Sequence, residues 1–388
     1  MRDINRSAVL DLIHRQGPLS RTTIAKKINI SLPTVMRIVA ELEKERLVIP
    51  IGINEKSRGK GRKGELFAFN ATEHLTLGVD LGGTKMYGAV ADLAGNILYE
   101  ETISHHQTSG EDSYQRLKQL IQSLSSFAKQ TGKHIRGIGI GAPGVTYYEE
   151  GVVQWAPSLG WRDYPLKAKI TSDFGLPTIV DNDVNLAALG ETWFGAGQQA
   201  HSLVVIAIGT GIGSGIVIDG NIYRGSHQAA GEIGYLVPEP RLLGKPYNEF
   251  GAFEGLASGS GIAERARQAL AGQMPKAELA RLSSEDVFEA ARRHQPWACQ
   301  VIAETVDYLA QAVVAVYLCL DPDLVILGGG VARSADLLIE PILQRLTGVI
   351  PIPPTLVASA LGYRATVLGA VVNLLYNTAN FYVVKKLV

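Results

Sequence analysis

The sequence predicts two parts of different class, a winged helix-turn-helix unit over residues 1–70 and a larger α/β body behind it. Helix-capping residues at helix-turn-helix spacing predict the first part, and strands closed by glycine turns, beginning at Leu75, predict the second. Charge divides the chain at the same place. Residues 1–66 carry fourteen Lys or Arg against seven Asp or Glu, whereas the remaining 23 basic and 30 acidic residues leave the body negative. A basic head on an acidic body is typical of a polyanion-binding module joined to a soluble domain.

Three short helices are expected in the head. Apolar residues recur at helical spacing up to Gly17-Pro18, which ends the first helix. Ser20 caps a second helix that runs to about Ile28, and Asn29-Ile30 forms the turn. Ser31 then caps a third helix, with Pro33 in its first turn, where a missing N–H costs nothing. Its apolar face consists of Val35, Ile38, Val39 and Leu42.

The exposed face of the third helix carries Ser31, Thr34 and Arg37, which are the positions that reach base edges in helix-turn-helix proteins. Two strands, 47–51 and 66–69, flank a loop of glycines and cations whose basic residues are Arg58, Lys60, Arg62 and Lys63. Behind a capped recognition helix we interpret this loop as a wing that places Arg62 in a narrow minor groove. The alternatives are a plain three-helix bundle and a solvated linker.

Strand–turn–strand units recur in the body. A three-stranded meander is predicted over 75–80, 85–91 and 97–101, and the segment GVDLGGTK supplies its first turn. The pattern repeats over 204–223, and two such hairpins can hold phosphate oxygens with backbone N–H groups. A third glycine cluster over 323–332 offers bare backbone to an adenine ring.

The remaining composition indicates a cytoplasmic protein. Cys299 and Cys319 lack CxxC spacing and are expected to be reduced, buried thiols. The amphipathic, charged start is unlike a secretory signal. The longest apolar run, 312–320, is too short to span a bilayer, so no membrane partner is expected.

Residues 75 to about 378 resemble the ROK family (repressors, open reading frames, kinases), and with the head the whole chain resembles ROK transcriptional regulators of the NagC, Mlc and XylR kind. Seven motifs in order carry the resemblance, namely DLGGTK, GIGIGAPG, APSLGW, DNDVNLAALGE, GTGIGSGI, GEIG and LGGGV. It implies a two-lobed, actin-like (hexokinase/RNase H-like) ATPase fold with a sugar in the cleft. We expect a small lobe over 71–190 and 366–388 and a large lobe over 191–365, and the resemblance implies that the large lobe carries the dimer contact.

The resemblance also implies roles for single residues. Asp183 takes the position of the general base of the family's kinases, although it serves equally to bind a sugar hydroxyl in a sensor that does no chemistry. The implied sugar contacts are Ser158, Asn182, Asp183, Glu232, Tyr235 and Glu254. Two of them depart from the family pattern, because Ser158 replaces an Asn and Tyr235 replaces a His. We therefore expect a polyol ligand that need not be a glucose-type hexose.

The family's structural zinc is not expected. Its ligand positions hold Lys245, Tyr247, Ala252 and Tyr235, which offer neither thiolate nor imidazole. Nucleotide-binding positions are preserved, which keeps ATP binding possible; they are Asp80, Gly82, Gly83, Thr84, Lys85, Thr210, Gly211, Gly213, Gly328 and Gly329. The alternative is that these glycines only supply positive φ angles to the turns.

Two functions follow. The first is a sequence-specific regulator of carbohydrate genes, most often a repressor. It binds operator DNA as a homodimer or a dimer of dimers, and a sugar bound in the cleft controls it. The second is an ATP-dependent sugar kinase with Asp183 as base and an accessory DNA-binding head. The head favours the regulator, because a kinase has no use for Arg37 and the basic loop.

Overall fold

The computed structural model describes residues 2–53, 64–104, 109–245 and 251–378. The head contains three helices and a three-stranded antiparallel sheet of order β1-β3-β2. Its elements are α1 (Arg2–Gln16), β1 (Leu19–Ser20), α2 (Arg21–Lys27), α3 (Leu32–Lys44), β2 (Val48–Ile53) and β3 (Glu65–Phe69). The predicted helices and both wing strands are confirmed.

Local chemistry explains where the head helices begin. Ser20 Oγ accepts a hydrogen bond from the Thr23 backbone N–H at 3.2 Å and caps α2. Ser31 caps α3 in the same way, with Pro33 in the first turn. The apolar stripe of α3 is fully buried, so the helix presents its polar side to solvent.

Each lobe of the body is built on a five-stranded sheet, and both sheets have the same order. The first sheet is β11-β7-β4-β5-β6 and the second is β14-β13-β12-β15-β16. In each, three antiparallel strands form a meander, a fourth strand pairs in parallel with the strand that begins it, and a fifth pairs in parallel with the fourth. This repeated arrangement confirms the two-lobed actin-like fold.

The strands of the first lobe are β4 (His74–Leu81), β5 (Lys85–Asp92), β6 (Ile97–Ser104), β7 (His134–Ala142), β8 (Val145–Tyr147), β9 (Val152–Ala156), β10 (Trp161–Tyr164) and β11 (Thr178–Asn182). Strands β8 to β10 form a small separate sheet. The helices here are α4 (Gly110–Gln130), α5 (Leu166–Phe174) and α6 (Asp183–Phe194).

The strands of the second lobe are β12 (Leu203–Ile208), β13 (Ile212–Ile218), β14 (Asn221–Ile222), β15 (Leu324–Gly328) and β16 (Leu356–Ala358). Its helices are α7 (Glu254–Ala257), α8 (Gly259–Ala269), α9 (Lys276–Leu279), α10 (Ser284–Arg292), α11 (Pro296–Leu320) and α12 (Ile339–Leu346). The chain ends, as far as it is described, in α13 (Ala365–Thr378).

Helices α6 and α13 position the two lobes. Helix α13 packs on the first sheet, where a Cβ added to Gly78 of β4 would lie 2.8 Å from the Val367 carbonyl oxygen. Helix α6 packs against α13 and also against the second sheet, where a Cβ on Gly215 of β13 would lie 2.4 Å from the Val184 carbonyl oxygen. The lobe boundary expected at residue 190 falls inside α6, so this helix belongs to both lobes.

Helix α11 crosses the core of the second lobe. Among the described residues it is the one helix long and apolar enough to span a membrane by length and composition. Its apolar side chains, such as Val306, Leu309 and Val313, are nevertheless buried in the core of the lobe. The prediction that its two cysteines are buried is wrong. Cys299 and Cys319 are both exposed, because they lie off the buried stripe of the helix.

Candidate effector cleft and DNA-binding face

Four carboxyl groups converge between the lobes. Asp80 lies near the end of β4, Asp183 begins α6, Glu232 lies after β14 and Glu254 begins α7. Burial raises the pKa of Asp80 to about 7, and burial together with the charge of Glu254 raises the pKa of Glu232 to about 7. Burial and then the charges of Asp80 and Glu232 hold the pKa of Asp183 well above its usual range. Carboxyl groups poised near neutrality can donate or accept hydrogen bonds, which suits the hydroxyls of a polyol.

Asn182 has a structural task besides any contact with ligand. Its Oδ1 accepts from the backbone N–H groups of Val184 at 2.9 Å and Asn185 at 3.0 Å, which caps α6. Its Nδ2 donates to the Gly144 carbonyl at 3.1 Å, so one amide N–H remains for a sugar. By capping α6, Asn182 therefore orients the Asp183 side chain at the first position of the helix.

Glu254 closes the turn between β12 and β13. Its Oε1 accepts from the Ile212 N–H at 2.8 Å, and its Oε2 accepts from the Gly251 N–H at 3.2 Å. Burial still raises the pKa of this carboxyl group, although both hydrogen bonds act to lower it. Since both oxygens are engaged, Glu254 orders the cleft wall first and contacts a ligand only with its remaining lone pairs.

Glu232 has a carboxylate that is open to a ligand. The structure gives its carboxylate no hydrogen bond to any described residue, and it is only partly exposed. Burial raises the pKa of the Tyr235 phenol, and the charges of Glu232 and Glu254 raise it further. Tyr235 therefore lies close to both carboxylates. The Tyr235 ring is 53% exposed, so it lies at the mouth of the cleft rather than in its wall.

The turns predicted to bind nucleotide face this cleft. Ser158 packs on the first turn, where a Cβ on Gly83 would lie 3.0 Å from the Ser158 Cβ. Lys85 beside this turn lowers the pKa of Asp80 slightly against the effect of burial. Thr84, Lys85 and Thr210 are exposed at the tips of the two turns.

Of these glycines Gly329 has a positive φ, +80°, and a Cβ there would also lie 2.4 Å from the Ile208 carbonyl oxygen. The glycines at 82, 83, 211, 213 and 328 lack positive φ. Close approach explains several of them, since a Cβ on Gly211 would lie 2.0 Å from Glu254 Oε1 and one on Gly82 would lie 2.6 Å from the Lys85 carbonyl oxygen.

The candidate DNA-binding face is the polar side of α3. Ser31 and Arg37 are exposed and Thr34 is half-buried, with the Ser31 and Thr34 hydroxyls 2.8 Å apart. Leu32 and Met36 are also exposed on this helix, which adds apolar surface for thymine methyl groups. The predicted wing cations Arg58, Lys60, Arg62 and Lys63 lie outside the described residues.

Comparison with known proteins decides the family. The profile of the ROK family matches residues 76–375, and that of the MarR family matches residues 4–49. The chain belongs to the ROK family. A MarR-like DNA-binding domain precedes its ROK domain.

Relatives of two kinds resemble this ROK protein. A glucokinase of Halalkalibacterium halodurans is 37% identical over 69% of this chain and 84% of its own length. A xylose repressor of Caldicellulosiruptor bescii is 30% identical over 88% of this chain and 86% of its own. A crystal structure of a ROK family transcriptional regulator, described as a homologue of the Escherichia coli Mlc protein, superposes with a TM-score of 0.84 at 26% identity and covers 98% of this chain and 97% of that one. The glucokinase match covers a smaller share of this chain than either regulator match.

The loop that carries zinc in many ROK proteins does not fit the metal here. Of its ligand positions, Lys245, Ala252 and Tyr235 are described and offer no thiolate or imidazole, while Tyr247 lies outside the described residues. Ala252 and Phe253 are buried, and the Gly251 N–H donates to Glu254. An apolar anchor and one carboxylate thus hold the described end of this loop.

Sequence reasoning missed the residues that support the cleft from behind. Asp181, 1% exposed, accepts hydrogen bonds from Arg224 at 2.6 Å and from Asn373 at 3.3 Å. Glu191, 0% exposed, accepts from the backbone N–H groups of Ala196 and Leu361. Both lie inside the DNDVNLAALGE motif, and their partners Arg224, Asn373 and Leu361 are too distant in sequence for the motif to reveal them.

Proposed function

We propose that this ROK protein is a DNA-binding repressor of carbohydrate genes, whose affinity for its operator is set by a sugar in the cleft between Asp183 and Glu232. One observation carries the proposal. The same chain presents an exposed, capped helix α3 with Arg37 on its polar side and a cleft whose Glu232 carboxylate has no hydrogen-bonding partner among the described residues. Such a carboxylate has lone pairs free to accept hydrogen bonds from sugar hydroxyls.

The relatives guide the choice of ligand. Proteins named xylose repressor align over 88% of this chain, and a protein named glucokinase aligns over 69% of it. Pentoses and hexoses present similar rows of hydroxyls, so we propose an aldose or a derivative of one, with D-xylose and D-glucose as the first probes. Ser158 and Tyr235 distinguish this cleft from that of the family's kinases.

A homodimer in the cytoplasm completes the proposal. Two heads related by a twofold axis would read half-sites about 34–36 Å apart on one face of the duplex. We propose no zinc, because the described ligand positions lack suitable donors. Metal analysis of the purified protein should find less than one zinc per chain.

The test is DNA binding at several salt concentrations. Duplexes selected by the protein from a random library should bind with a log–log salt slope of about −0.9 for each phosphate neutralised. Saturating D-xylose or D-glucose should then change the dissociation constant for this duplex. A dissociation constant that depends neither on salt concentration nor on duplex sequence would contradict the proposal.

A sugar kinase is the second candidate, and the preserved phosphate turns favour it. In such a reaction a sugar hydroxyl oxygen attacks the γ-phosphorus of ATP, the bond to ADP breaks, and Asp183 takes the hydroxyl proton. Burial and the neighbouring charge of Asp80 raise the pKa of Asp183, which increases the affinity of its carboxylate for the hydroxyl proton. ADP release that depends on D-glucose and disappears in Asp183→Asn would establish this activity, with Glu278→Gln as the control on an exposed carboxylate.

A further inference from the structure

We infer that α6 and α13 form one rigid lever, which moves when a ligand changes the cleft. This movement reaches the DNA-binding head through the contact with His14 of α1. This inference rests on the proposed function, since it names the path by which a ligand would change DNA binding. The argument starts from the two ends of α6.

Helix α6 touches the cleft with its first residue and the head with its last turn. Asp183 lies in the cleft, and ten residues later Trp193 lies against α1. Twelve residues at about 1.5 Å each make the helix about 18 Å long. One rigid element therefore spans the distance from the ligand site to the DNA-binding unit.

The first turn of α6 is in contact with the lobe that a ligand would move. A Cβ on Gly215 would lie 2.4 Å from the Val184 carbonyl oxygen, and one on Gly213 would lie 3.1 Å from Val184 Cγ2. The β12–β13 hairpin of the second lobe thus packs backbone to backbone on α6. Any rotation of that lobe must displace this turn of the helix or break the contact.

Helices α6 and α13 are locked to each other. A Cβ on Gly369 would lie 1.7 Å from the Leu186 carbonyl oxygen, and one on Gly190 would lie 2.3 Å from the Ala365 carbonyl oxygen. Such glycine contacts leave no side-chain layer that could deform between the helices. The two helices consequently move as a unit.

An aromatic joint connects this unit to the head. The His14 imidazole lies 4.7 Å from the Trp193 ring and 5.0 Å from the Phe69 ring, centroid to centroid. The Trp193 Nε1–H donates to the Tyr376 hydroxyl of α13 at 2.7 Å. Apolar side chains of α1 and α13 continue the contact in one buried cluster. We call His14, Trp193 and Tyr376 the head joint.

The head also has a second attachment, close to its covalent link with the body. The Arg46 carbonyl oxygen accepts a hydrogen bond from Asn70 Nδ2 at 2.9 Å and lies 2.9 Å from His74 Nε2. These contacts fix the place where the chain enters β4, so they can serve as a pivot. The head joint lies on a different element, α1, and transmits displacement about that pivot.

The test uses two conservative variants and one matched control in the full chain. Trp193→Phe removes the indole N–H and Tyr376→Phe removes its acceptor, while Trp297→Phe changes a tryptophan on α11, away from the head. For each protein we would measure the dissociation constant of the selected duplex with and without D-xylose or D-glucose, and sugar affinity by calorimetry. We expect a sugar-dependent change of at least about fivefold in the wild type and in Trp297→Phe, and of less than about twofold in the two joint variants. Their sugar affinity should stay within about threefold of the wild type. Equal sugar-dependent changes in all four proteins would overturn the inference.

Hydrogen exchange separates failure of the lever from failure of the proposed function. His14→Ala should speed amide exchange in 191–194 and 374–378 by about tenfold, with the sheets of the second lobe unaffected. If the wild type shows no sugar-dependent DNA binding, the proposed function fails while faster exchange still establishes the head joint. Unchanged exchange in both segments would overturn the joint itself.

Discussion

Arg224 Nη2 lies 2.6 Å from Asp181 Oδ2, and this ion pair joins the second lobe to the first just two residues before Asp183. The Arg224 guanidinium also lies 3.8 Å from the centre of the Tyr148 ring. Asp181 is 1% exposed and accepts further hydrogen bonds from Asn373 and Asn185. The base of the cleft is therefore a buried, charge-assisted contact between lobes.

Removing Arg224 should destabilise the protein, because it leaves a buried carboxylate short of its cation. We expect Arg224→Met to lower the free energy of unfolding by about 3 kcal/mol. Asp181→Asn combined with Arg224→Met should cost less than the sum of the single variants by about 1–3 kcal/mol. Chemical denaturation of the four proteins measures this cycle, and strict additivity would show that the pair is not coupled.

Neutralising Glu232 should stabilise the protein at high pH. Its pKa in the folded chain, about 7, exceeds the value of 4.5 that it has when solvated, so its ionisation opposes folding as pH rises through this interval. We expect Glu232→Gln to raise the free energy of unfolding at pH 8 by about 2 kcal/mol, after allowing for partial exposure. The gain should vanish below pH 4.5. Glu278→Gln, on an exposed carboxylate of the second lobe, is the matched control.

His74 should have the opposite dependence on pH. Burial lowers its pKa from 6.5 to about 4, so the folded chain holds it neutral while the unfolded chain takes up a proton. Its contribution to stability is complete above pH 6.5 and is lost as pH falls toward 4, by about 3 kcal/mol in all. Thermal unfolding of the wild type and His74→Gln should converge as pH is lowered over this range. His227→Gln, at an exposed imidazole, should follow the wild type throughout.

Arg37 should decide DNA binding without affecting the fold. It is exposed on α3, beside the capping residue Ser31, so Arg37→Ala removes a DNA contact and no core packing. A lost bidentate contact to guanine costs about 1–3 kcal/mol, which weakens binding by about 5- to 150-fold. Anisotropy titration of the selected duplex measures this, and Arg281→Ala, at an exposed arginine of the second lobe, should bind as the wild type does. Equal affinities of both variants for DNA would show that α3 does not contact the duplex.

Sequence patterns correctly predicted the features that neighbouring residues determine, such as helix starts and turns. Ser31 and Pro33 begin α3 because capping chemistry acts within one turn, and glycine turns close both meanders for the same reason. The motifs also brought Asp80, Asp183, Glu232 and Glu254 to one cleft. Asn182, however, was assigned only to ligand, whereas its carbonyl oxygen caps α6.

Partners that are distant in sequence could not be predicted. Arg224 lies 43 residues from Asp181, and Trp193 lies 183 residues from Tyr376, so no spacing pattern reveals either contact. The exposure of Cys299 depends on the rotation of α11 about its axis, which packing in the second lobe sets. Tertiary contacts alone decide such features.

The most direct test of the account measures the affinity of the full-length protein for its selected duplex in the presence of a bound sugar. Calorimetry would first establish that D-xylose or D-glucose occupies the cleft, with loss of binding in Asp183→Asn. The account predicts that saturation with that sugar changes the dissociation constant for DNA by at least about fivefold. A sugar that binds the cleft and leaves the affinity for DNA unchanged would contradict it.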